Sequence, residues 1–344
     1  MKVRILDFIL VLLLIIPSAA VADGVVHSTS FSVEGAYYLD DNKGYGVGDG
    51  GFAPISYDPE GNTVFSSPPD NGRDLGSGWG SAEIQALLTH RIVLPFLEGT
   101  GALTSDNNLA FSFTGALTPV SVRFEALAAL TPIAFVNVFA GTMVGTGWDL
   151  FGLFHGMALN ADGSGIPKSD WGFVSKSRIG GTFQFDLAEV VPGEWTHVVV
   201  LVRPELQYAF FSGADRGEAW LWEADEGENF NGFMFLGTYF LGYQMPLRLD
   251  TVGLLIETEQ NLGYVKDLSP MDSAGWGSDY VQITLSPLLN FMLSETSYLV
   301  VLFQLRRERL YDEPSIFANY YENRSAAGTY WDFYRIAFSY SLIL

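Results

Sequence analysis

The chain has no cysteine among its 344 residues. Disulfide bridges, thiolate metal sites and a lipid anchor on an N-terminal cysteine are therefore excluded. Basic residues are also scarce, since 18 lysines and arginines accompany 39 acidic residues and the net charge is −21. Because contact with phosphates needs a basic surface, this composition excludes nucleic-acid binding as a function class.

Long apolar runs are missing after the first residues, although the mean hydropathy is +0.20 and 15% of the residues are aromatic. A membrane-spanning helix needs a run of about 18 apolar residues, and no later segment contains one. Apolar residues at every second position raise the mean hydropathy without forming a run. This pattern is typical of transmembrane β-strands.

The first 22 residues have the pattern of a secretory signal peptide. Lys2 and Arg4 form a basic start, residues 8–16 are an unbroken apolar run, and Ala20-Val21-Ala22 is an A-x-A cleavage site. The run is too short to cross a bilayer as a helix, although a retained anchor is the alternative. We expect cleavage after Ala22 and a single domain over residues 23–344.

The last fifteen residues, Tyr330–Leu344, alternate in character. Apolar or aromatic residues recur at every second position: Leu344, Leu342, Tyr340, Phe338, Ile336 and Tyr334. A final strand with one oily and one polar face resembles the C-terminal strand of bacterial outer-membrane β-barrel proteins, which usually ends in Phe or Trp rather than leucine. The resemblance implies an outer-membrane location, contact with membrane lipid, and recognition of this strand by the barrel-assembly machinery.

Similar alternation extends through the chain and predicts an all-β fold, an antiparallel transmembrane β-barrel of about twelve strands. An error in the region 97–119 would change the count to ten or fourteen. The predicted strands are 28–39, 82–96, 108–117, 120–131, 133–146, 178–188, 196–211, 231–244, 247–260, 279–293, 296–311 and 330–344. Strands of this length can cross an outer membrane when tilted.

The predicted connections sort by length. With both termini in the periplasm, short turns such as Thr131-Pro132, Met245-Pro246 and Ser294-Glu295 lie inside, as in known barrels. The turn Thr118-Pro119 is unusually short for the outside. The long connections fall outside: 40–81, 147–177, 212–230, 261–278 and 312–327.

Charged residues share the strand faces opposite the apolar ones. A charge that faces lipid near the midplane costs about 2–4 kcal/mol for arginine, so we expect these side chains inside the barrel. They could form a constriction that selects solutes by charge, or a ladder of salt bridges that fills a narrow lumen. The predicted lumen-lining residues are Arg91, Arg123, Arg178, Arg203, Arg306, Arg335, Glu125, Asp186, Glu205, Glu257 and Glu259.

The four histidines are relevant to a catalytic function and to contact with a neighbouring subunit. His27, His90, His155 and His197 lie in no recognisable catalytic motif, so no catalytic residue is assigned, although some outer-membrane barrels are phospholipases or proteases. His90 falls on the predicted lipid face. Either a bulge shifts the local register there, or His90 packs against a neighbouring subunit.

No cofactor site is predicted. The acidic segments Asp40-Asp41 and Asp225-Glu226-Gly227-Glu228 could hold loop-bound calcium, or they could be solvated surface. The apolar stretch Trp148–Leu159 could extend a strand, fold inward as a plug, or rest on lipid.

Three functions remain open on the sequence alone. The first hypothesis is a narrow outer-membrane channel for small polar or charged solutes. The alternatives are a closed barrel whose acidic loops bind ligands or host molecules, and an outer-membrane hydrolase.

Overall fold

A computed structural model describes residues 24–38, 81–150, 154–159, 168–169, 172–215, 220–223, 229–263, 279–312 and 325–344. The predicted signal peptide and nearly all of the predicted connection 40–81 lie outside these ranges. Within them, no helix is both long and apolar enough to span a membrane.

Seventeen strands lie within the described residues, and a 3-10 helix, Leu187–Glu189, follows the tenth. The strands are β1 (Val26–Tyr38), β2 (Ser81–Pro95), β3 (Asn108–Leu117), β4 (Ser121–Ile133), β5 (Val136–Gly147), β6 (Asp149–Leu150), β7 (Phe154–His155), β8 (Met157–Leu159), β9 (Lys168–Ser169), β10 (Val174–Asp186), β11 (Val198–Phe211), β12 (Trp220–Trp222), β13 (Gly232–Gln244), β14 (Leu249–Gly263), β15 (Gln282–Ser294), β16 (Ser297–Asp312) and β17 (Ser325–Ile343).

Twelve of these strands close into one antiparallel barrel. Each pairs with its neighbour along the chain once the short strands β6 to β9 and β12 are left out, and β1 pairs with β17 to close the ring. In the closing pair, Ser30 lies opposite Ile343 and Tyr37 opposite Ile336. Closure leaves no sheet edge, so the strands satisfy their backbone hydrogen bonds without water. The predicted twelve-stranded all-β barrel is confirmed.

The connections between barrel strands lie at two rims. We call the rim where β1 begins and β17 ends the terminal rim, and the opposite one the mouth rim. The terminal rim carries the connections 96–107, 134–135, 187–197, 245–248 and 295–296. The mouth rim carries 39–80, 118–120, 148–173, 212–231, 264–281 and 313–324. The four longest connections, 39–80, 148–173, 212–231 and 264–281, therefore share the mouth rim. The terminal-rim connection 96–107 is as long as 313–324 at the mouth rim, and 118–120 is very short, as the sequence predicted.

Successive side chains point to opposite faces of the barrel wall. Glu83 and Gln85 project into the lumen, where both contact residues beyond the adjacent strand. Ile84, between them, is 44% exposed on the outside. Ile179 and Leu241, near 60% exposed, show the same outward face on β10 and β13. Such an apolar outer wall suits hydrocarbon rather than water.

The predicted Thr131-Pro132 turn is wrong. Both residues lie within β4, and the turn falls at 134–135. The pairing of β4 with β5 shifts register between Leu130 and Ile133. Proline cannot donate to a ladder, and the irregularity places it where the regular pairing is interrupted.

The predicted outward position of Tyr334 is also wrong. Gln304 lies opposite Arg335 and Leu305 opposite Phe333, so Tyr334 is the extra residue of a β-bulge. Tyr334 is only 1% exposed and packs with Ala36 and Ala337 on the inner face. The bulge therefore turns Tyr334 and Arg335 inward together.

Candidate functional site

Ion pairs on the inner face reach across intervening strands. Arg178 on β10 contacts Glu125 on β4, past β5, and lies 3.7 Å from Glu205 on β11. Arg203 lies 3.4 Å from Glu205, with its guanidinium 4.2 Å from the centre of the Phe139 ring. Side chains that meet over an intervening strand must share the lumen face of a curved wall. The wall from β4 to β11 is thus lined by paired charges.

Arg123 on β4 joins a second set of polar side chains. It donates to Gln85 across β3 and to Glu223 at 2.5 Å. Gln85 in turn donates to Glu34 at 2.7 Å, and the Ser339 hydroxyl donates to Glu34 at 3.4 Å. The chain of contacts runs from β17 through β1 and β2 to β4.

Arg335 anchors a third set on the remaining wall. One of its terminal nitrogens lies 2.5 Å from Glu83 across β1, and its Nε donates to Gln304 at 2.5 Å. Gln304 also donates to Glu257 across β15, at 3.4 Å, and to Ser286, at 3.2 Å. Polar contacts therefore continue around the lumen to β14.

Arg306 lies beside this set and is almost fully buried. Its guanidinium lies 4.1 Å from the centre of the Tyr334 ring and 3.5 Å from Gln282. A cation over an aromatic face is attracted by the ring quadrupole. The strand register places Glu259 opposite Leu236 and Gln282, on the same inner face.

Two predicted lumen residues, Arg91 and Asp186, lie toward the terminal rim, away from these contacts. Arg91 lies six positions after Gln85, so both residues share the inner face of β2, and Arg91 is exposed. Asp186 ends β10, lies 2.6 Å from His197 Nδ1 and accepts the N–H of Ala188, so it caps the 3-10 helix.

A cavity of about 220 Å³ lies against β1, β2, β14, β16 and β17. Three carboxylates and one guanidinium line it, and the other polar lining groups are neutral. The polar lining residues are Glu34, Glu83, Gln85, Glu257, Gln304, Arg335 and Ser339. The balance of charge in this part of the lumen is negative.

Short described segments of two mouth-rim connections fold onto the inner wall. We call residues 156–159 and 220–223 the mouth plug. Within it, β8 pairs with β12, and Trp220 opposes Leu159. The plug packs on inward side chains of β5, β10 and β11, namely Met143, Val174, Ala209 and Phe211. Of the apolar stretch Trp148–Leu159, residues 156–159 belong to the plug and therefore fold inward.

Two glycines make room for the mouth plug. A Cβ on Gly145 would lie 2.7 Å from the Trp222 indole, and one on Gly156 would lie 1.9 Å from the Val120 carbonyl oxygen. Both distances are shorter than real Cβ contacts, so a side chain at either position would displace the plug or the wall.

Glu223 fastens the plug to the wall. Its carboxylate is 1% exposed and accepts from the Ser121 hydroxyl at 2.5 Å, in addition to Arg123. Its N–H donates to the Gly156 carbonyl at 2.8 Å. Its φ of 55° lies in the left-handed region, which non-glycine residues adopt at a cost of about 1–3 kcal/mol. The two side-chain contacts hold Glu223 in this conformation.

A further ion pair lies at the mouth rim, away from the plug. The Arg309 guanidinium donates two hydrogen bonds to Asp279, and this contact lowers the pKa of the carboxyl below its ordinary value of 3.8. The Arg309 guanidinium also lies 5.6 Å from the centre of the Tyr280 ring.

The sets also contain residues that were not predicted, among them five with long polar side chains. Glu34, Glu83, Gln85 and Gln304 could have been found, because each lies two positions, or a multiple of two, from other inward residues of its strand. Glu223 lies in a connection, where alternation gives no signal.

His90 lies on the outer face, as its place in the alternation predicted. The pairing of β1 with β2 runs from Val26 opposite Val93 to Tyr38 opposite Ser81 without a register shift. A bulge therefore does not explain its position.

The predicted calcium segments, Asp40-Asp41 and Asp225-Glu226-Gly227-Glu228, and the side chain of His155 lie outside the described residues. In the part of the chain that the structure does describe, no three or more histidine, aspartate or glutamate side chains are grouped so that they could hold a metal ion.

The closed antiparallel barrel, its apolar outer wall and its charged lumen define a β-barrel protein of the outer-membrane type. No protein-family model and no curated protein matches the chain. Among solved structures, a crystal structure of a Pseudomonas aeruginosa FadL homologue is similar over 93% of this chain and 90% of that chain, with 9% sequence identity and a TM-score of 0.28. Similarity at this level identifies neither a family nor a ligand.

Proposed function

We propose that this protein is a narrow channel of a bacterial outer membrane for small polar or charged solutes, gated by the mouth plug. The observation that carries the proposal is the contrast between the two faces of the wall. Arg123, Arg178 and Arg335 pair with carboxylates inside the lumen, while the outer wall is apolar. Polar groups that line a passage can replace part of the water around a solute.

The proposal includes the route to the membrane. Export would use the peptide over residues 1–22, with cleavage after Ala22, and the assembly machinery would recognise Tyr330–Leu344. The outward Phe338 and Tyr340 support that role for β17. Because β1 begins and β17 ends at the same rim, one orientation places both ends in the periplasm and the long connections outside.

A second candidate function is a sealed barrel whose exposed connections bind ligands. The mouth plug favours it, since Trp220 and Ala158 are fully buried over the inner wall and narrow the lumen. The two functions differ in whether the plug ever leaves its place.

Conductance across planar bilayers tests the proposal. We would compare the wild-type barrel with Gly145→Val, which leaves no room for the Trp222 indole. The control is Gly181→Val, because a Cβ on Gly181 lies an ordinary 3.5 Å from the nearest atom, the Asn137 carbonyl oxygen. Discrete channels that become more frequent in Gly145→Val, but not in Gly181→Val, support a gated channel. Silence in all three folded proteins contradicts the channel and favours the sealed barrel.

A further inference from the structure

Two histidines meet on the outer face of the barrel, close to the terminal rim. His27 is the second residue of β1, and His90 lies on β2 directly opposite Thr29. Both imidazoles therefore lie outside the charged lumen. His27 is exposed, whereas His90 is half-buried.

The ring nitrogens of the pair face each other. His27 Nδ1 lies 3.4 Å from His90 Nε2, and the ring centres are 5.6 Å apart. The separation is long for a hydrogen bond from an imidazole N–H, since N–H···O bonds prefer about 2.7–3.2 Å. It equals the spacing of two nitrogens bound tetrahedrally to one zinc ion, because Zn–N bonds of about 2.0–2.1 Å place such nitrogens about 3.4 Å apart.

Thr29 orients one of the two rings. His90 Nδ1 lies 3.0 Å from the Thr29 hydroxyl. When Nδ1–H donates to this hydroxyl, the proton is fixed on Nδ1 and the lone pair of Nε2 points toward His27. Metal-binding histidines commonly donate their second ring nitrogen in this way, which sets both the tautomer and the ring orientation.

We propose that His27 and His90 bind one borderline divalent metal ion, Zn²⁺ or Cu²⁺, on the outer wall of the barrel. Imidazole nitrogen suits these ions, whereas Mg²⁺ and Ca²⁺ prefer oxygen ligands. The exposed side of His27 leaves the remaining coordination positions to water. The ion would hold the start of β1 to β2 at the terminal rim, and the site is independent of transport.

The test is Zn²⁺ and Cu²⁺ binding to the purified full-length barrel in detergent. Calorimetry should show one Zn²⁺ ion per chain, and the electron paramagnetic resonance spectrum of bound Cu²⁺ should show two imidazole nitrogens. Both signals should be lost in His27→Ala and in His90→Ala. His197→Ala should keep them, because His197 pairs with Asp186 away from this site.

Thr29→Val tests whether the Thr29 hydroxyl orients the His90 ring without itself binding the metal ion. We expect it to weaken Zn²⁺ binding about tenfold without changing the number of coordinated nitrogens. Zn²⁺ binding that survives in either single histidine variant overturns the proposal. So does a wild-type barrel that binds Zn²⁺ no better than a variant carrying both His27→Ala and His90→Ala. Heat-dependent gel migration of each variant confirms that the barrel is folded.

Discussion

The carboxylate of Glu223, in a mouth-rim connection, lies 2.5 Å from a guanidinium nitrogen of Arg123 on the barrel wall. Glu223 is 1% exposed and Arg123 20% exposed, so little water is at hand to replace the contact. Removal of one partner of a buried pair costs about 3–5 kcal/mol, and the partial exposure of Arg123 points to the lower end. This ion pair is a charged link between the plug and the wall.

Glu223→Gln should therefore loosen the mouth plug. Glutamine keeps a carbonyl oxygen for the Ser121 hydroxyl but loses the charge that pairs with Arg123. If the change weakens the link by about 1.4 kcal/mol, the open population rises about tenfold. Single-channel recording measures the open fraction. Asp279→Asn is the matched control, since it removes a mouth-rim ion pair away from the plug. Equal open fractions in both variants would argue against a latch.

Arg178→Met should destabilise the barrel. The change leaves the carboxylates of Glu125 and Glu205 in the lumen without the guanidinium that lies between them. Arg178 is 27% exposed, so we expect a loss of about 1–3 kcal/mol rather than the full cost of a dry pair.

Urea unfolding in detergent measures this loss. Arg91→Met is the control, because Arg91 is exposed and has no ion pair within the described part of the chain. The interpretation of the Arg178 contacts as a stabilising set would be wrong if the two variants unfolded at the same urea concentration.

The barrel could be predicted from the sequence because its physical rule is local. A strand in hydrocarbon must show apolar residues at every second position, as Val198, Val200 and Val202 do on β11. The same rule places Arg178 and Arg203 inside, and turn residues separate one alternating segment from the next. Both the alternation of apolar residues and the turn residues can be recognised in a single sequence.

What could not be predicted depends on contacts between distant segments. Tyr334 points inward because a bulge opposite Gln304 and Leu305 shifts the alternation by one residue. Glu223 reaches Arg123 only after its connection folds into the mouth, about 100 positions away in sequence. Neither event leaves a periodic signal, so the plug could be suspected only from the apolar content of Trp148–Leu159.

Ile179→Arg should destabilise the barrel in its membrane. Ile179 points outward near the middle of β10 and is 60% exposed. An arginine at the bilayer midplane costs about 2–4 kcal/mol, but about 0–1 kcal/mol near the interface. Ser175→Arg, on the same face near the mouth rim, is therefore the control. Folding into lipid vesicles under denaturant titration measures both, and equal costs would contradict a lipid-facing wall.

The wild-type channel should prefer cations. Glu34, Glu83 and Glu257 line the cavity with a single guanidinium, that of Arg335. The described hydrogen bonds to Glu34 come from Gln85 and Ser339, which are both neutral side chains. Carboxylates around a passage raise the local concentration of cations and lower that of anions.

The reversal potential in a tenfold KCl gradient should therefore have the sign of a potassium-selective pore. Glu34→Gln should move it toward zero, because the cavity then keeps two carboxylates beside one guanidinium. Glu295→Gln, in a terminal-rim turn away from the cavity lining, should leave it unchanged. A wild-type channel that prefers chloride would contradict the assigned lumen charges while leaving the existence of the channel intact. A potential that shifts equally in both variants would trace the selectivity to the overall charge of the protein rather than to this cavity.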